Sequence, residues 1–79
     1  MNISFSPWTA EPDVFGEAAS MWTNERFLDL TMTPTKRRRA VWDVLDGGEK
    51  IAEGEADSPE AAKAEAVVAA RRGLFTIVK

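Results

Sequence analysis

Two clusters of charge hold most of the chemistry in this 79-residue chain. Seven carboxylates fall between residues 43 and 60 (Asp43, Asp46, Glu49, Glu53, Glu55, Asp57 and Glu60), opposed in that stretch only by Lys50. Just upstream, Lys36, Arg37, Arg38 and Arg39 are consecutive. A dense carboxylate array repels nucleic acid and attracts cationic surfaces. A pair such as Glu53 and Glu55 would serve hydrolysis only inside a deep cleft that drives the two pKa values apart, and small domains rarely enclose one. The acids also lack the loop spacing of an EF-hand, which argues against calcium. The basic run has two readings. Its arginine forks suit phosphate or an acidic partner. In a net-acidic chain, with no aromatic side chains interleaved, it reads more simply as a solvated loop whose side chains pair with nearby carboxylates.

The absent residue types narrow the chemistry further. The chain has no histidine, cysteine or tyrosine. That removes the usual general base near neutral pH, the thiol nucleophile and most transition-metal ligands. Serine without an imidazole partner stays protonated and inert. Asp46-Gly47-Gly48 lacks the spacing of a phosphate or dinucleotide loop. The expectation is a binding protein that uses no catalytic residue, cofactor or metal.

Size and composition bound the scaffold. Seventy-nine residues make a single domain over 1–79, with room for one core. Without cysteine there is no disulfide framework, so the fold rests on apolar burial, helped by three tryptophans and four phenylalanines. No apolar run approaches the ~20 residues that span a bilayer. Residues 1–7 lack the basic and apolar regions of a signal peptide, so a cytoplasmic protein is expected.

The elements that would position the charges can be read in turn. Ser58 is a helix N-cap, Pro59 fits the first helical position, and good helix formers follow to Arg71-Arg72. Gly73 is expected as the left-handed C-cap, with Leu74 or Phe75 folding back. Ala62, Ala66, Ala69 and Gly73 would form a smooth face toward a sheet, leaving Val67 and Val68 for the N-terminal segment, a partner or a second copy. Residues 39–45 and 49–56 read as a hairpin. A three-residue loop, Asp46-Gly47-Gly48, would place Trp42 opposite Ala52 and Val41 opposite Glu53. This register gathers Ala40, Trp42, Val44, Ala52, Gly54 and Ala56 on one face. Val41, Asp43, Leu45, Glu49, Ile51, Glu53 and Glu55 fall on the other. A two-residue Gly47-Gly48 loop would mix the two sets and is disfavoured. Residues 27–33 alternate as a strand ended by Pro34, and residues 3–6 and 75–78 read as short strands. Residues 12–22 fit a second short helix with Trp22 inward, with an extended reading left open. The fold class is α+β, a small antiparallel sheet with a long C-terminal alanine-rich helix on one face.

Two resemblances bear on function. Gly54-Glu55-Ala56-Asp57-Ser58, with Ala62-Lys63, Ala69-Ala70 and Leu74, resembles the last strand and second helix of double-stranded RNA-binding domains. That family places lysines after the serine, where this chain has Pro59-Glu60, so the likeness is one of packing. In size, acidity and hairpin–helix style the chain also resembles the small inhibitors of phages and mobile elements, of which anti-CRISPR proteins are the best-known group. That resemblance implies binding to a CRISPR effector complex and obstruction of its basic DNA path. The expected partner is therefore a protein with a basic surface. It would be met by Asp43, Glu49, Glu53 and Glu55, about 6.6 Å separating the last two along the strand, with Ile51 as an apolar contact. The alternatives are a nucleic-acid module using Lys36 to Arg39, and a homodimeric accessory protein.

Overall fold

The structure is a computed structural model that describes residues 3–11 and 15–75. Strands β1 (Ser4–Ala10), β2 (Glu17–Trp22), β3 (Phe27–Pro34), β4 (Ala40–Asp46) and β5 (Glu49–Ala56) precede helix α1 (Pro59–Phe75). The strands lie in the sheet in chain order and every neighbouring pair is antiparallel. The helix packs over β3, β4 and β5 and barely reaches β2. This is the α+β architecture expected.

Period-two alternation decides which side chains meet the helix. Leu28, Leu30 and Met32 of β3, Ala40, Trp42 and Val44 of β4, and Ala19 and Met21 of β2 are buried. Each large aliphatic side chain removed from water this way stabilises the fold by about 1.5–3 kcal/mol. From the helix come Ala62, Ala66, Ala70 and Leu74, one row at four-residue intervals. The expected row through Ala69 and Gly73 is only half-buried, because Leu74 has more apolar surface to hide and turns the helix toward itself.

The start of the helix follows expectation and its end does not. The Ala61 N–H donates to Ser58 Oγ at 3.1 Å, and the Ala62 N–H to the Ser58 carbonyl at 2.9 Å. Gly73, expected as a left-handed cap, stays inside the helix, which runs to Phe75. The Arg26 guanidinium supplies the capping instead. It donates to the Gly73 carbonyl and, through Nη2, to Asp46 Oδ2 at 2.6 Å. A cation at this end also complements the helix dipole. One side chain thus ties the β2–β3 connection, the end of β4 and the last turn of α1.

The hairpin differs in an instructive way. Its loop is the two-residue Gly47-Gly48, both at positive φ (61° and 89°), as hairpin twist favours. Asp46 pairs with Glu49 and Leu45 with Lys50, a register that would invert β5. A bulge between Lys50 and Ala52 then inserts one residue, after which Val44 pairs with Ala52, Asp43 with Glu53, Trp42 with Gly54 and Val41 with Glu55. The final register lies two residues from the expected one. An even offset leaves the inward set, Ala52, Gly54 and Ala56, unchanged. Only the residues on the loop side of the bulge change face.

The N-terminal part is more sheet-like than expected. Residues 17–22 form β2 and not a helix, paired on both sides by β1 and β3. Gly16 stands at the bend just before β2, where a Cβ would collide with the Met32 carbonyl oxygen. A helix over 17–22 would have left the edge of β3 unpaired. Residues 12–14, where that helix was to start, lie outside the described residues, as do residues 76–78 of the expected last strand, whose first member Phe75 is helical.

Close approach makes opposite demands at two glycines. A Cβ on Gly54 would sit 2.7 Å from Cζ2 of Trp42, whose indole is held between sheet and helix by its Nε1 bond to Glu65 (3.2 Å). A Cβ on Gly73 would meet only the tip of Ile51, at 3.1 Å. Gly54→Ala should therefore lose about 1–3 kcal/mol of stability in urea unfolding. Gly73→Ala should be neutral or stabilising, because alanine gains roughly 1 kcal/mol in a helix interior. Equal losses at the two positions would contradict the packing described.

Candidate functional site: the open face of the sheet

The face of the sheet turned from α1 has no element of the described chain packed on it. Strand alternation brings Ala18, Ser20 and Trp22, then Phe27, Asp29, Thr31 and Thr33, then Val41, Asp43 and Leu45, and finally Glu53 and Glu55 to this side. Arg39 and Asp57 extend it beyond the ends of β4 and β5. Five carboxylates (Asp29, Asp43, Glu53, Glu55 and Asp57) therefore face two cations, Arg39 and Lys50. The balance is −3.

Both cations are engaged. Lys50 Nζ sits 3.4 Å from Asp43 Oδ1 and 3.4 Å from Glu53 Oε1, bridging a directly opposed pair of acids that would otherwise repel. Arg39 spans Glu55 (3.1 Å) and Asp57 (2.8 Å). The hydrogen bond and charge of Arg39 hold the Glu55 carboxyl below the usual glutamate range, and Glu55 in turn holds the Arg39 guanidinium above its ordinary value. Lys50 is raised by its bond to Glu53 and the charge of Asp43. These pairs are solvent-exposed and screened by water, so each contributes little to stability. Their main effect is to fix where negative potential remains. Asp29 is exposed and makes no ion pair among the described residues, and of the paired carboxylates Asp57 and Glu53 are the most open, with side chains 91% and 67% exposed.

Of the five residues expected to form one acidic face, three are together. Asp43, Glu53 and Glu55 share the open side. Ile51 and Glu49 do not. The two-residue turn puts Ile51 on the helix side, where its Cδ1 lies against Gly73 and near Leu28, and puts Lys50 on the open side where Ile51 was expected. Glu49 pairs with Asp46 at the turn and shares its side, which Arg26 marks as the helix side. The apolar contribution expected from Ile51 falls instead to Val41 and Leu45. It falls also to Trp22 and Phe27, whose rings stack with centroids 5.5 Å apart and planes 22° from parallel. Phe27 is 51% exposed. A helix over 12–22 turns Trp22 inward, which hides its place beside Phe27 and Asp29, themselves on the outer side of the strand expected over 27–33. The alternation of Ala19 and Met21 against Ala18, Ser20 and Trp22 was the signal available.

The basic run lies at the turn between β3 and β4. Thr35 N–H donates to the Arg39 carbonyl at 2.8 Å, closing a loop over Lys36, Arg37 and Arg38. Arg37 and Arg38 both have left-handed backbones, with φ of 63° and 65°. Arg39 behaves as the solvated-loop reading expects and pairs with neighbouring acids. Lys36, Arg37 and Arg38 are exposed and make no ion pair among the described residues. Among the described residues, no three carboxylates gather closely enough to hold an ion. Among the described residues, no helix is long and apolar enough to cross a membrane.

Two outcomes follow from this geometry. A left-handed backbone costs a non-glycine residue roughly 1–2 kcal/mol, and glycine loses about 0.5–1 kcal/mol of that relief to chain entropy. Arg37→Gly and Arg38→Gly should therefore be neutral to slightly stabilising in thermal unfolding, while Arg38→Val should destabilise. For pH, the Glu55 carboxyl is depressed in the folded state, so its ion pair supports the fold above the ordinary glutamate pKa. That support is lost as pH falls through the lowered folded value. Glu55→Gln should flatten the fall of melting temperature on the acid side and leave the alkaline side unchanged. An unaltered acid limb would show that the Arg39–Glu55 pair is not formed in solution.

Comparison with known proteins finds no family that matches the chain, no similar curated protein and no similar solved structure. The functional reading therefore rests on the side chains themselves.

Proposed function

We propose that this chain is a non-catalytic binding domain that sets the open face of its sheet against the basic surface of a nucleic-acid-handling protein and obstructs access of the nucleic acid. The observation that supports this reading is the composition of that face. A net charge of −3 is spread over β3, β4 and β5, interleaved with Val41, Leu45 and the Trp22–Phe27 stack. Lysines and arginines that hold phosphates can be occupied instead by the carboxylates of an acidic protein surface of complementary potential. Charge speeds the encounter and the apolar side chains add affinity by burial. Screening by Arg39 and Lys50 makes the face mixed in sign, which favours a partner that also presents acids near those two positions. An effector complex of the CRISPR kind, with its cationic DNA channel, is the partner class that the resemblance to small phage inhibitors suggests.

A second reading is favoured by one observation, that Lys36, Arg37 and Arg38 on the β3–β4 turn stand exposed with no ion pair among the described residues. Lys36, Arg37 and Arg38 are free to grip phosphate.

One set of measurements separates the two. Purified nucleic-acid-binding complexes, a CRISPR effector among them, are titrated with the chain and their affinity for duplex DNA is followed. The expected result is that at least one complex loses DNA affinity by about tenfold or more, and that the Glu53→Lys/Glu55→Lys double variant, folded by circular dichroism, has no effect. Full obstruction by the double variant would remove the acidic face as the site. In parallel, the chain alone should leave duplex DNA and RNA unshifted in a low-salt gel. A shift abolished by neutralising Lys36, Arg37 and Arg38 would replace the first reading by the second.

A further inference from the structure

The sheet has two edges, and they are built differently. β1 is interrupted by a register break that spans Pro7 and Trp8, and proline cannot donate to a ladder. β5 pairs only with β4, and beyond its bulge it runs in unbroken register from Ala52 to Ala56 with no proline. Its outward backbone groups are unclaimed. Among the described residues, no backbone or side-chain hydrogen bond outside the ladder reaches the main chain of 49–56. Alternate residues of such an edge point N–H and C=O into solvent, where an incoming strand can pair with them.

The two sides of this edge have opposite chemistry. On the open side stand Glu53, Glu55 and then Asp57. On the helix side, beyond Ile51 at the bulge, the strand offers Ala52, Gly54 and Ala56. These small side chains leave an open groove of about 610 Å³ between β5 and α1. Its floor is the Trp42 indole spread over Gly54, and its walls include Ile51, Ala64, Val68 and Ala69. Val68 is 52% exposed there, although aliphatic and in mid-helix.

We infer that the outer edge of β5 receives an extended peptide in which lysine or arginine alternates with aliphatic residues, added to the sheet as a sixth strand. Strand alternation sends every second side chain of the added segment into the groove against Val68 and Trp42. The residues between lie beside Glu53 and Glu55, at the roughly 5 Å spacing of cross-strand neighbours. The charge pattern disfavours a second copy as the occupant. An antiparallel β5–β5 pairing centred on Gly54 would set Glu53 against the other copy's Glu55 twice over, with no cation interposed. The inference rests on the acidic-face reading above and deepens it by naming the form in which the basic partner is held.

The test uses the full chain and a fluorescein-labelled octapeptide alternating lysine and valine. A second peptide of equal composition carries its lysines grouped at one end. The alternating peptide should bind about tenfold tighter or better by fluorescence anisotropy. It should slow amide exchange in Ala52–Ala56 and lose about tenfold in affinity with Val68→Asp, a substitution at an exposed position that leaves the fold intact. Equal binding of the two peptides, indifferent to Val68→Asp, would overturn edge pairing and leave the acidic face as an unspecific cation binder. Failure of both peptides to bind would count against edge and face together. A stable dimer in light scattering that Val68→Asp dissolves would replace the peptide by a second copy.

Discussion

The side of the sheet on which β5 places its charges is decided within two residues. A Gly47-Gly48 turn of two residues closes the hairpin in a register that would bury Glu53 and Glu55 against the helix. Burying an uncompensated carboxylate costs several kcal/mol even after relaxation, more than a domain of this size can sustain. The bulge at Lys50-Ile51 restores parity before the strand reaches the helix. It lets Ala52, Gly54 and Ala56 lie under α1 and turns Glu53 and Glu55 to water. The residues before it keep the register of the turn: Lys50 points out to bridge Asp43 and Glu53, and Ile51 points in against Gly73.

The rest of the structure follows from that placement. Small residues under the helix allow Trp42 to reach across β5 and bond Glu65, and they allow α1 to sit low over β3 to β5. Arg26 fixes the far end of the helix to Asp46, next to the turn where the parity problem arises. Lys63, bonded to Glu17 at 3.0 Å, fixes the near end to β2. With one face so covered, the other is left with a charge pattern mostly negative but twice interrupted. Function, on this account, is a matter of where Arg39 and Lys50 stand among the acids as much as of how many acids there are.

Much of this was legible in the sequence, for physical reasons that can be stated. The inward sets Leu28, Leu30, Met32 and Ala40, Trp42, Val44 follow from strict alternation. The helix start follows from Ser58-Pro59. The division of Ala52, Gly54 and Ala56 from Glu53 and Glu55 survived an error of two residues in register, because side-chain direction depends only on parity. What alternation cannot reveal is where a strand gains a residue, so Ile51 and Glu49 were assigned to the wrong side. Residues 17–22 were ambiguous because alanine and serine carry no strong period, and pairing with β3 decided the outcome. The capping of the helix by Arg26 joins positions 47 residues apart, and local pattern carries no trace of it.

The most direct check of the central claim is a set of proton–proton distances across β5 by nuclear Overhauser spectroscopy. The Ile51 δ-methyl should show contacts to the Gly73 α-protons and a Leu28 methyl, and backbone contacts should link Asp43 with Glu53 and Val41 with Glu55. Contacts of Val41 with Glu53, together with an Ile51 methyl that sees only solvent-side neighbours such as Leu45, would mean that the strand has no bulge there. The acidic face would then be arranged differently from the one described.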